Sequence, residues 1–330
     1  MTLSALDPQR ARDLVSRLAN HHVLIVGDVM LDRFIVGDVE RMSPEAPVPV
    51  VRFRSEYTRT GGAANVASNV RALGGRAVLV GVVGDDRAAS DLRVLLEAAS
   101  IPTDGLVTDS TRPTVEKQRI VTGRNQQVAR IDYEDDTDVG GPIERDLINR
   151  LDRLARDADV LLVSDYLKGA VTRGLMDRLN TFKTERKALL VDPKIPHLDR
   201  YAGATVVTPN QHEAEMATHR LIRSDDDARA AAVEFKRRVR CENVLMTRSE
   251  HGIWLSSAEA EGAIAAVARE IADVTGAGDT VVATLALALA AGATLVEASL
   301  LANYAAGVVI GKFGPATVTP GELLTQILSA

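Results

Sequence analysis

Cysteine and histidine are scarce in this chain. A single cysteine, Cys241, among 330 residues excludes an internal disulfide and agrees with a reducing compartment. The 6 histidines, together with that cysteine, show no metal-ligand spacing such as His-Glu-x-x-His. The sequence therefore does not predict a zinc site.

Long hydrophobic segments and an excess of positive charge are also missing. The longest apolar run, from Val281 to Ala293, is too short to span a bilayer and predicts a buried helix. Residues 1–20 lack the charged start and apolar core of a secretion signal. The formal net charge of -6 gives no general attraction to nucleic acid or to anionic membranes. We expect a cytoplasmic protein that binds neither, with any anionic ligand held by a local basic cluster.

Two common nucleotide-binding motifs are absent. No Gly-x-Gly-x-x-Gly follows the first apolar run, which removes support for a dinucleotide oxidoreductase. The segment from Gly307 to Phe313 is similar to a P-loop, but only three residues separate its glycines and Phe313 replaces the magnesium-binding Ser or Thr. Any phosphate site must therefore have another form.

Short apolar runs, separated mostly by helical patterns, predict the fold class. Such runs suit central parallel strands, because those strands are buried on both faces. Strand and helix patterns in alternation predict an α/β layered sheet with right-handed crossovers. The runs are Val23–Asp28, Ala77–Gly81, Val160–Asp165, Ala188–Asp192, Thr205–Thr208 and Asn243–Thr247.

Two β-like stretches interrupt this alternation, one around residues 33–56 and the other around 112–133. Strands inserted early in an α/β domain can form a small accessory sheet that covers the ligand crevice as a lid. The alternative is a pair of edge hairpins without a function.

The most informative segment runs from Asp273 to Thr280 and leads into the predicted buried helix. Gly276 and Gly278 allow the backbone N–H groups of residues 276–278, including Ala277, to converge on an anion at the helix start. Asp279 would lie beside that anion and could accept the proton of an attacking hydroxyl during phosphoryl transfer. The alternative is a helix cap made by Thr275 or Asp279.

Two further segments offer polar groups at the starts of predicted helices. Gly61 and Gly62 permit close approach of a ligand, and Asn65 offers a donor and an acceptor to a sugar; a tight helix-packing turn is the alternative. Asn210 and Glu213 can face one site and offer oxygen ligands that suit hydrated Mg²⁺. Their alternative is an N-cap with a capping-box-like Glu.

These motifs, in this order along the chain, resemble those of the ribokinase (PfkB-type) family of ATP-dependent sugar kinases. The resemblance spans roughly residues 20–320 and includes Gly27-Asp28-x-x-x-Asp32. It implies a single ribokinase-like domain over residues 1–330, with three αβα layers, a mostly parallel central sheet and a small β-sheet lid.

The resemblance also implies roles for individual residues and requires ATP and Mg²⁺. Asp279 would be the catalytic base, and the amides of residues 276–278 would form the anion hole. Sugar hydroxyls would be bound by Asp28, Asp32, Gly61, Gly62 and Asn65, and Asp192 would also contact the substrate. Asn210 and Glu213 would organise Mg²⁺, mainly through water and the ATP phosphates, while Thr247, Ser249, Gly252 and Asn303 would line the nucleotide site.

Within the family, segments 27–33, 43–50, 192–194 and 247–252 resemble those of bacterial enzymes acting on D-glycero-β-D-manno-heptose 7-phosphate. The implied reaction phosphorylates its C1 hydroxyl on the way to ADP-heptose and the lipopolysaccharide core; another sugar or sugar-phosphate substrate, or a catalytically dead sensor, is the alternative. We expect Lys117, Arg119 and Lys194 to hold the substrate phosphate at the end of the sugar far from Asp279.

Further expectations follow from the same resemblance. They are a homodimer formed through the lid, kinase activity alone in this chain, and a separate nucleotidyltransferase and phosphatase downstream. The chain departs from the pattern at Leu167, where related sequences usually have Gly, and at Pro315, where Thr is common.

Overall fold

The structure, a computed structural model, describes residues 3, 6–124, 126–184, 187–267, 273–312 and 316–329. Pro315 lies outside the described residues. The strands are β1 (His22–Gly27), β2 (Val29–Met42), β3 (Pro49–Gly62), β4 (Arg76–Val83), β5 (Leu106–Thr108), β6 (Val115–Thr122), β7 (Gln127–Tyr133), β8 (Val160–Ser164), β9 (Leu189–Asp192), β10 (Val206–Val207), β11 (Asn243–Thr247), β12 (Ile253–Ser256) and β13 (Glu261–Ile264).

The helices are α1 (Pro8–Arg17), α2 (Ala63–Ala72), α3 (Arg87–Ala98), α4 (Gly141–Leu154), α5 (Arg173–Asn180), α6 (Gln211–Thr218), α7 (Asp225–Val239), α8 (Ala277–Ala290), α9 (Leu295–Val309) and α10 (Pro320–Leu328). None of the helices in the described ranges is long and apolar enough to cross a membrane.

A 9-stranded sheet in the order β13-β12-β11-β10-β9-β8-β1-β4-β5 forms the centre of the molecule. Its strands pair in parallel except at the edge formed by β11, β12 and β13. Alternate residues of β1 pack into two different cores: Val23 and Ile25 into one, Leu24 and Val26 into the other. Because both faces are covered, the strands are short continuous apolar runs, and the predicted α/β fold class is confirmed.

A separate 4-stranded sheet, in the order β3-β2-β6-β7, forms the small β-sheet. Its long strands β2 and β3 pair antiparallel from Val29 opposite Gly62 to Met42 opposite Pro49, so the first segment is longer than the predicted 33–56. β6 pairs in parallel with β2, and β7 closes the edge. The two segments therefore form one second sheet and are not edge hairpins of the main sheet.

Helix α8 lies in the interior, as its alanine-rich apolar run predicts. All residues from Asp279 to Ala288 are buried, and the helix packs against α9 and α2. A helix that is apolar on every side must be enclosed by the protein. This burial fixes the helix start, and with it the position of Asp279.

Candidate active site

Asp279 lies in the first turn of α8, directly after the glycine turn. Gly276 precedes the helix with φ of +81°, a conformation that a residue with a Cβ rarely adopts. The first amides of a helix lack intrahelical acceptors and carry partial positive charge. The amide of Ala277 donates to the carbonyl oxygen of Val274 at 3.2 Å, so its use in an anion hole requires this turn to open. The amides of Gly276 and Gly278 are the other members of the predicted set.

Both carboxylate oxygens of Asp279 accept a hydrogen bond from a side chain. Asn65 Nδ2 donates to Oδ2 at 2.6 Å, and the Tyr166 hydroxyl donates to Oδ1 at 2.8 Å. Asp279 is only 5% exposed. Burial raises the pKa of Asp279 to about 6, although the bonds from Asn65 and Tyr166 act in the opposite direction. A carboxylate with this pKa suits general base catalysis near neutral pH.

Asn65 is held between two helices. Asn69 Nδ2 donates to the Asn65 carbonyl oxygen at 3.0 Å, and Thr280 Oγ1 donates to Asn69 Oδ1 at 2.8 Å. The start of α2 is fixed in turn because the amide of Ala63 donates to the Asp28 carbonyl oxygen. The tight packing turn considered from the sequence is therefore present, and it brings Asn65 to the candidate base.

Asp28 anchors the loop that follows β8. Its carboxylate accepts backbone N–H bonds from Tyr166 at 2.7 Å, Lys168 at 3.1 Å and Ala170 at 3.0 Å. Asp28 is 2% exposed. These contacts give Asp28 a structural role in placing Tyr166, whereas its predicted contact with sugar hydroxyls stays a prediction.

Gly61 leaves room for the Asp32 carboxylate. Asp32 lies on β2 and forms an ion pair with Arg119 on the neighbouring strand β6. A Cβ built on Gly61 would lie 2.8 Å from Asp32 Oδ2 and 3.3 Å from Met30 Cβ. The neighbouring Gly62 has φ of +54° where the chain enters α2.

We expect Gly61→Ala to destabilise the protein by about 1–3 kcal/mol, because the added methyl group must displace the Asp32 carboxylate or the backbone of β3. The KM for the predicted sugar substrate should also rise. Urea unfolding and steady-state kinetics measure both effects. Gly123→Ala is the control, since a Cβ there meets no atom within 4 Å; equal behaviour of the two variants would contradict the steric argument.

The predicted lid residues Lys117 and Arg119 lie near Asp32. Lys117 is the cross-strand partner of Asp32, so their side chains share one face of the small sheet. Its Nζ lies 3.4 Å from Asp132 Oδ2. The guanidinium of Arg119 lies 5.4 Å from the centre of the Phe34 ring, besides its pairing with Asp32.

A mostly apolar cavity of about 430 Å³ opens beside the glycine turn. The residues predicted to line the nucleotide site all line this cavity, and so do Ala277 and Gly278. The predicted residues are Thr247, Ser249, Gly252 and Asn303. Asn303 Nδ2 donates to the Ala265 carbonyl oxygen at 2.8 Å. A concave, mostly apolar wall with a few polar groups is typical of a small-molecule site.

A second cavity of about 160 Å³ adjoins the first and shares Thr247, Gly278 and Val281 with it. Its other lining residues are polar or aromatic: Tyr166, Asp192, Lys194, Thr208, Asn210 and Glu213. Mg²⁺ prefers oxygen ligands, so this donor set fits the predicted cation. Burial raises the pKa of Asp192 to about 8, although Lys194 opposes the shift.

The capping box considered as an alternative at Asn210 is present. Asn210 Oδ1 accepts from the Glu213 amide at 2.8 Å, and Glu213 Oε2 accepts from the Asn210 amide at 2.9 Å. The other carboxylate oxygen of Glu213 pairs with Lys194 Nζ. The two side chains therefore begin α6 and line the polar cavity at the same time.

The structure corrects the expected location of Lys194. We predicted Lys194 at the end of the sugar far from Asp279, but it lines the polar cavity with Gly278 and pairs with Glu213. Its Nζ lies 5.5 Å from the centre of the Tyr166 ring, whose hydroxyl contacts Asp279. The chain folds this way because the carboxyl ends of adjacent parallel strands β8 and β9 meet at one edge of the sheet. Lys194 thus lies beside the predicted anion hole.

Tyr166 was not among the site residues predicted from the sequence. Its signal was its position just after β8, at the sheet edge where ligands bind. Burial, followed by the nearby Asp279, raises the pKa of Tyr166 well above its usual value, so its hydroxyl stays a donor. The next residue, Leu167, has φ of +59°, a left-handed conformation that Gly adopts more easily than Leu.

Comparison with known proteins places these features in context. A family model described as pfkB family carbohydrate kinase matches residues 20–321. Bifunctional protein HldE of Paramagnetospirillum magneticum is 43% identical, over 95% of this chain and 64% of its own length. The protein of the same name from Pelobacter propionicus is 39% identical, over 98% of this chain and 67% of its own length. The chain thus spans about two thirds of these curated relatives.

Solved structures resemble the fold. Phosphofructokinase-2 from Escherichia coli, in complex with substrates and products, has a TM-score of 0.77 and 19% identity, covering 94% of this chain and 99% of that one. Arabidopsis thaliana ribokinase, complexed with ribose and ATP, has a TM-score of 0.71 and 16% identity, covering 93% and 98%.

Proposed function

This chain belongs to the pfkB family of carbohydrate kinases and is an ATP-dependent sugar kinase, and we propose that it phosphorylates the C1 hydroxyl of D-glycero-β-D-manno-heptose 7-phosphate. The observation that carries the proposed chemistry is the arrangement of Asp279. Its buried carboxylate has a raised pKa, and the preceding residue, Gly278, lines both cavities.

In the proposed reaction, Asp279 accepts the proton of the sugar hydroxyl as that oxygen attacks the γ-phosphoryl group of ATP. Backbone amides at the start of α8 and the ammonium group of Lys194 stabilise the charge on the phosphoryl group. The apolar cavity holds the nucleotide, with Thr247 and Asn303 in its wall. Asn210 and Glu213 would hold Mg²⁺, which would neutralise charge on the ATP phosphates.

Heptose 7-phosphate is a more specific assignment than membership of the family. It is supported by the segments at 27–33, 43–50, 192–194 and 247–252, and by relatives named HldE at about 40% identity. An anomeric hydroxyl is more acidic than an ordinary alcohol, so a carboxylate base can suffice. A different sugar or sugar phosphate within the family is the second candidate.

We also propose a homodimer formed through the small β-sheet. The strands of this sheet expose large apolar side chains, including Phe53 (59% exposed), Ile131 (44%) and Tyr133 (47%). Such a surface on a sheet is a suitable subunit interface. The proposed product, heptose 1,7-bisphosphate, would pass to a phosphatase and a nucleotidyltransferase.

A substrate panel tests the proposed function. The purified protein is incubated with ATP and Mg²⁺ and with the two anomers of heptose 7-phosphate, fructose 1- and 6-phosphates, ribose and adenosine. ADP release and the position of the new phosphate are measured. Selective turnover of the β-anomer at C1 is expected, whereas preference for another acceptor would reassign the substrate. ATP binding without turnover of any acceptor would favour a sensor.

The pH profile should show the ionisation of Asp279. The base must be unprotonated, so we expect kcat to fall about tenfold per pH unit below pH 6 and to level off above it. Tyr166→Phe removes a hydrogen bond that lowers this pKa and should move the fall to higher pH. A fall that stays at the same pH in Tyr166→Phe would belong to another group, such as a phosphate of the substrate.

A further inference from the structure

Two lysines from distant parts of the chain converge on one carboxylate beside the small sheet. Lys168 Nζ lies 2.8 Å from Glu134 Oε1, and Lys117 Nζ lies 3.5 Å from Glu134 Oε2. The side chains of Lys168 and Lys117 are 15% and 18% exposed, against 30% for Glu134. The two lysine side chains are therefore more enclosed than the glutamate side chain with which they pair.

Both lysines are fixed to residues of the predicted sugar site. The backbone amide of Lys168 donates to Asp28 Oδ2 at 3.1 Å, two residues beyond Tyr166. Lys117 lies opposite Asp32 across the β2–β6 pair. Neither lysine lines the apolar cavity or the polar cavity assigned to ATP. The ammonium groups thus belong to the part of the site formed with the small sheet.

The other basic residues predicted for this role have different surroundings. Arg119 is engaged by the Asp32 carboxylate, which is 9% exposed, and Lys194 lines the polar cavity beside Gly278. Two enclosed like charges need an anion between them, because each disfavours the other. In the structure, Glu134 supplies that anion.

We propose that Lys168 and Lys117 form the subsite for the phosphate that the acceptor sugar carries, and that this phosphate displaces Glu134 on binding. A phosphate group offers three acceptor oxygens and up to two negative charges, so it can accept from both ammonium groups more strongly than one carboxylate. Asp132 remains paired with Lys117 and Arg130. The assignment rests on the proposed function, since only a phosphorylated sugar requires such a subsite.

The test compares variants on heptose 7-phosphate. Lys168→Met and Lys117→Met should each raise its KM by about 10- to 100-fold, the loss expected for one charge-assisted hydrogen bond, and change the KM for ATP less than twofold. Glu134→Gln removes the competing carboxylate and should lower the KM for the sugar phosphate about two- to fivefold. Lys183→Met is the matched control, because Lys183 is a 21% exposed lysine paired with Glu242. Thermal unfolding verifies that each variant is folded.

The outcomes separate the subsite from the function. Wild-type turnover of heptose 7-phosphate, with both lysine variants matching Lys183→Met, would overturn the subsite alone. A raised KM in Glu134→Gln would show that the cluster is a structural ion-pair network, which also overturns it. Wild-type turnover restricted to sugars without a phosphate would overturn both proposals.

Discussion

Asp279→Asn is expected to lower kcat by about 10³-fold or more while leaving the affinity for ATP nearly unchanged. An amide cannot accept the proton of the sugar hydroxyl, and loss of a general base typically costs 10²–10⁴-fold. Asn has nearly the same size as Asp and would occupy the same place in the first turn of α8, so both cavities should persist. Single-turnover ADP release measures the rate, and calorimetric titration with ATP measures the affinity.

The same substitution should make the protein more stable above pH 6. Folding raises the pKa of Asp279 from 3.8 to about 6, so the folded state binds a proton more tightly than the unfolded state. The ionised carboxylate therefore costs the folded state up to about 3 kcal/mol at pH 8, and this cost disappears as the pH falls through 6 towards 4. Urea unfolding of wild type and Asp279→Asn at pH 8 and pH 5 should show a gain that shrinks at the lower pH.

Asp109→Asn is a control of opposite sign. Asp109 is also 5% exposed, but hydrogen bonds from Thr111 and the ion pair with Arg112 outweigh burial and lower its pKa. Its replacement should reduce stability at pH 8 and leave the chemistry intact. Two results for Asp279→Asn would contradict these expectations. Retained turnover would mean that another group is the base. Lower stability than wild type at pH 8 would mean that the Asp279 carboxylate stabilises the fold.

The main sheet could be predicted from the sequence because its signal is local. Each predicted run contains all or part of a strand, and Asn243–Thr247 is β11 itself, since a strand covered on both faces must be apolar throughout. The short antiparallel strands β12 and β13 were missed. Each is only four residues long, and in β13 buried and half-buried residues alternate, so neither strand gives a long apolar run in the sequence.

The site residues could be predicted only where a single segment of sequence contains a recognisable pattern. The glycine turn before Asp279 is such a segment, because glycines and a helix start occur together. The contact between Tyr166 and Asp279 joins residues 113 positions apart, and only the packing of α8 against the sheet creates it. The predicted location of Lys194 was wrong for the same reason, because it depends on long-range packing. The sequence places this lysine after a strand but does not show which cavity the strand end borders.

Lys194→Met is the second substitution with a large expected effect. The ammonium group lies in the polar cavity with Gly278 and pairs with Glu213, where it can stabilise charge on the phosphoryl group in transfer. Loss of one such group typically costs about 10²–10³-fold in kcat. We expect this fall in kcat, a moderate rise in the KM for ATP, and an unchanged KM for the sugar phosphate.

The separate effects on kcat and KM show whether Lys194 contacts the transferred phosphoryl group or the phosphate of the sugar. Loss of an interaction made only in the transition state lowers kcat, whereas loss of one made equally with the bound substrate raises KM. Lys168→Met should show the opposite split, so the two variants are each other's control in one assay. Lys194 also lowers the pKa of Asp192, and its loss should favour protonated Asp192, which limits the damage to folding. A raised KM for the sugar phosphate with kcat retained would return Lys194 to the role predicted from the sequence and require another cation beside the glycine turn.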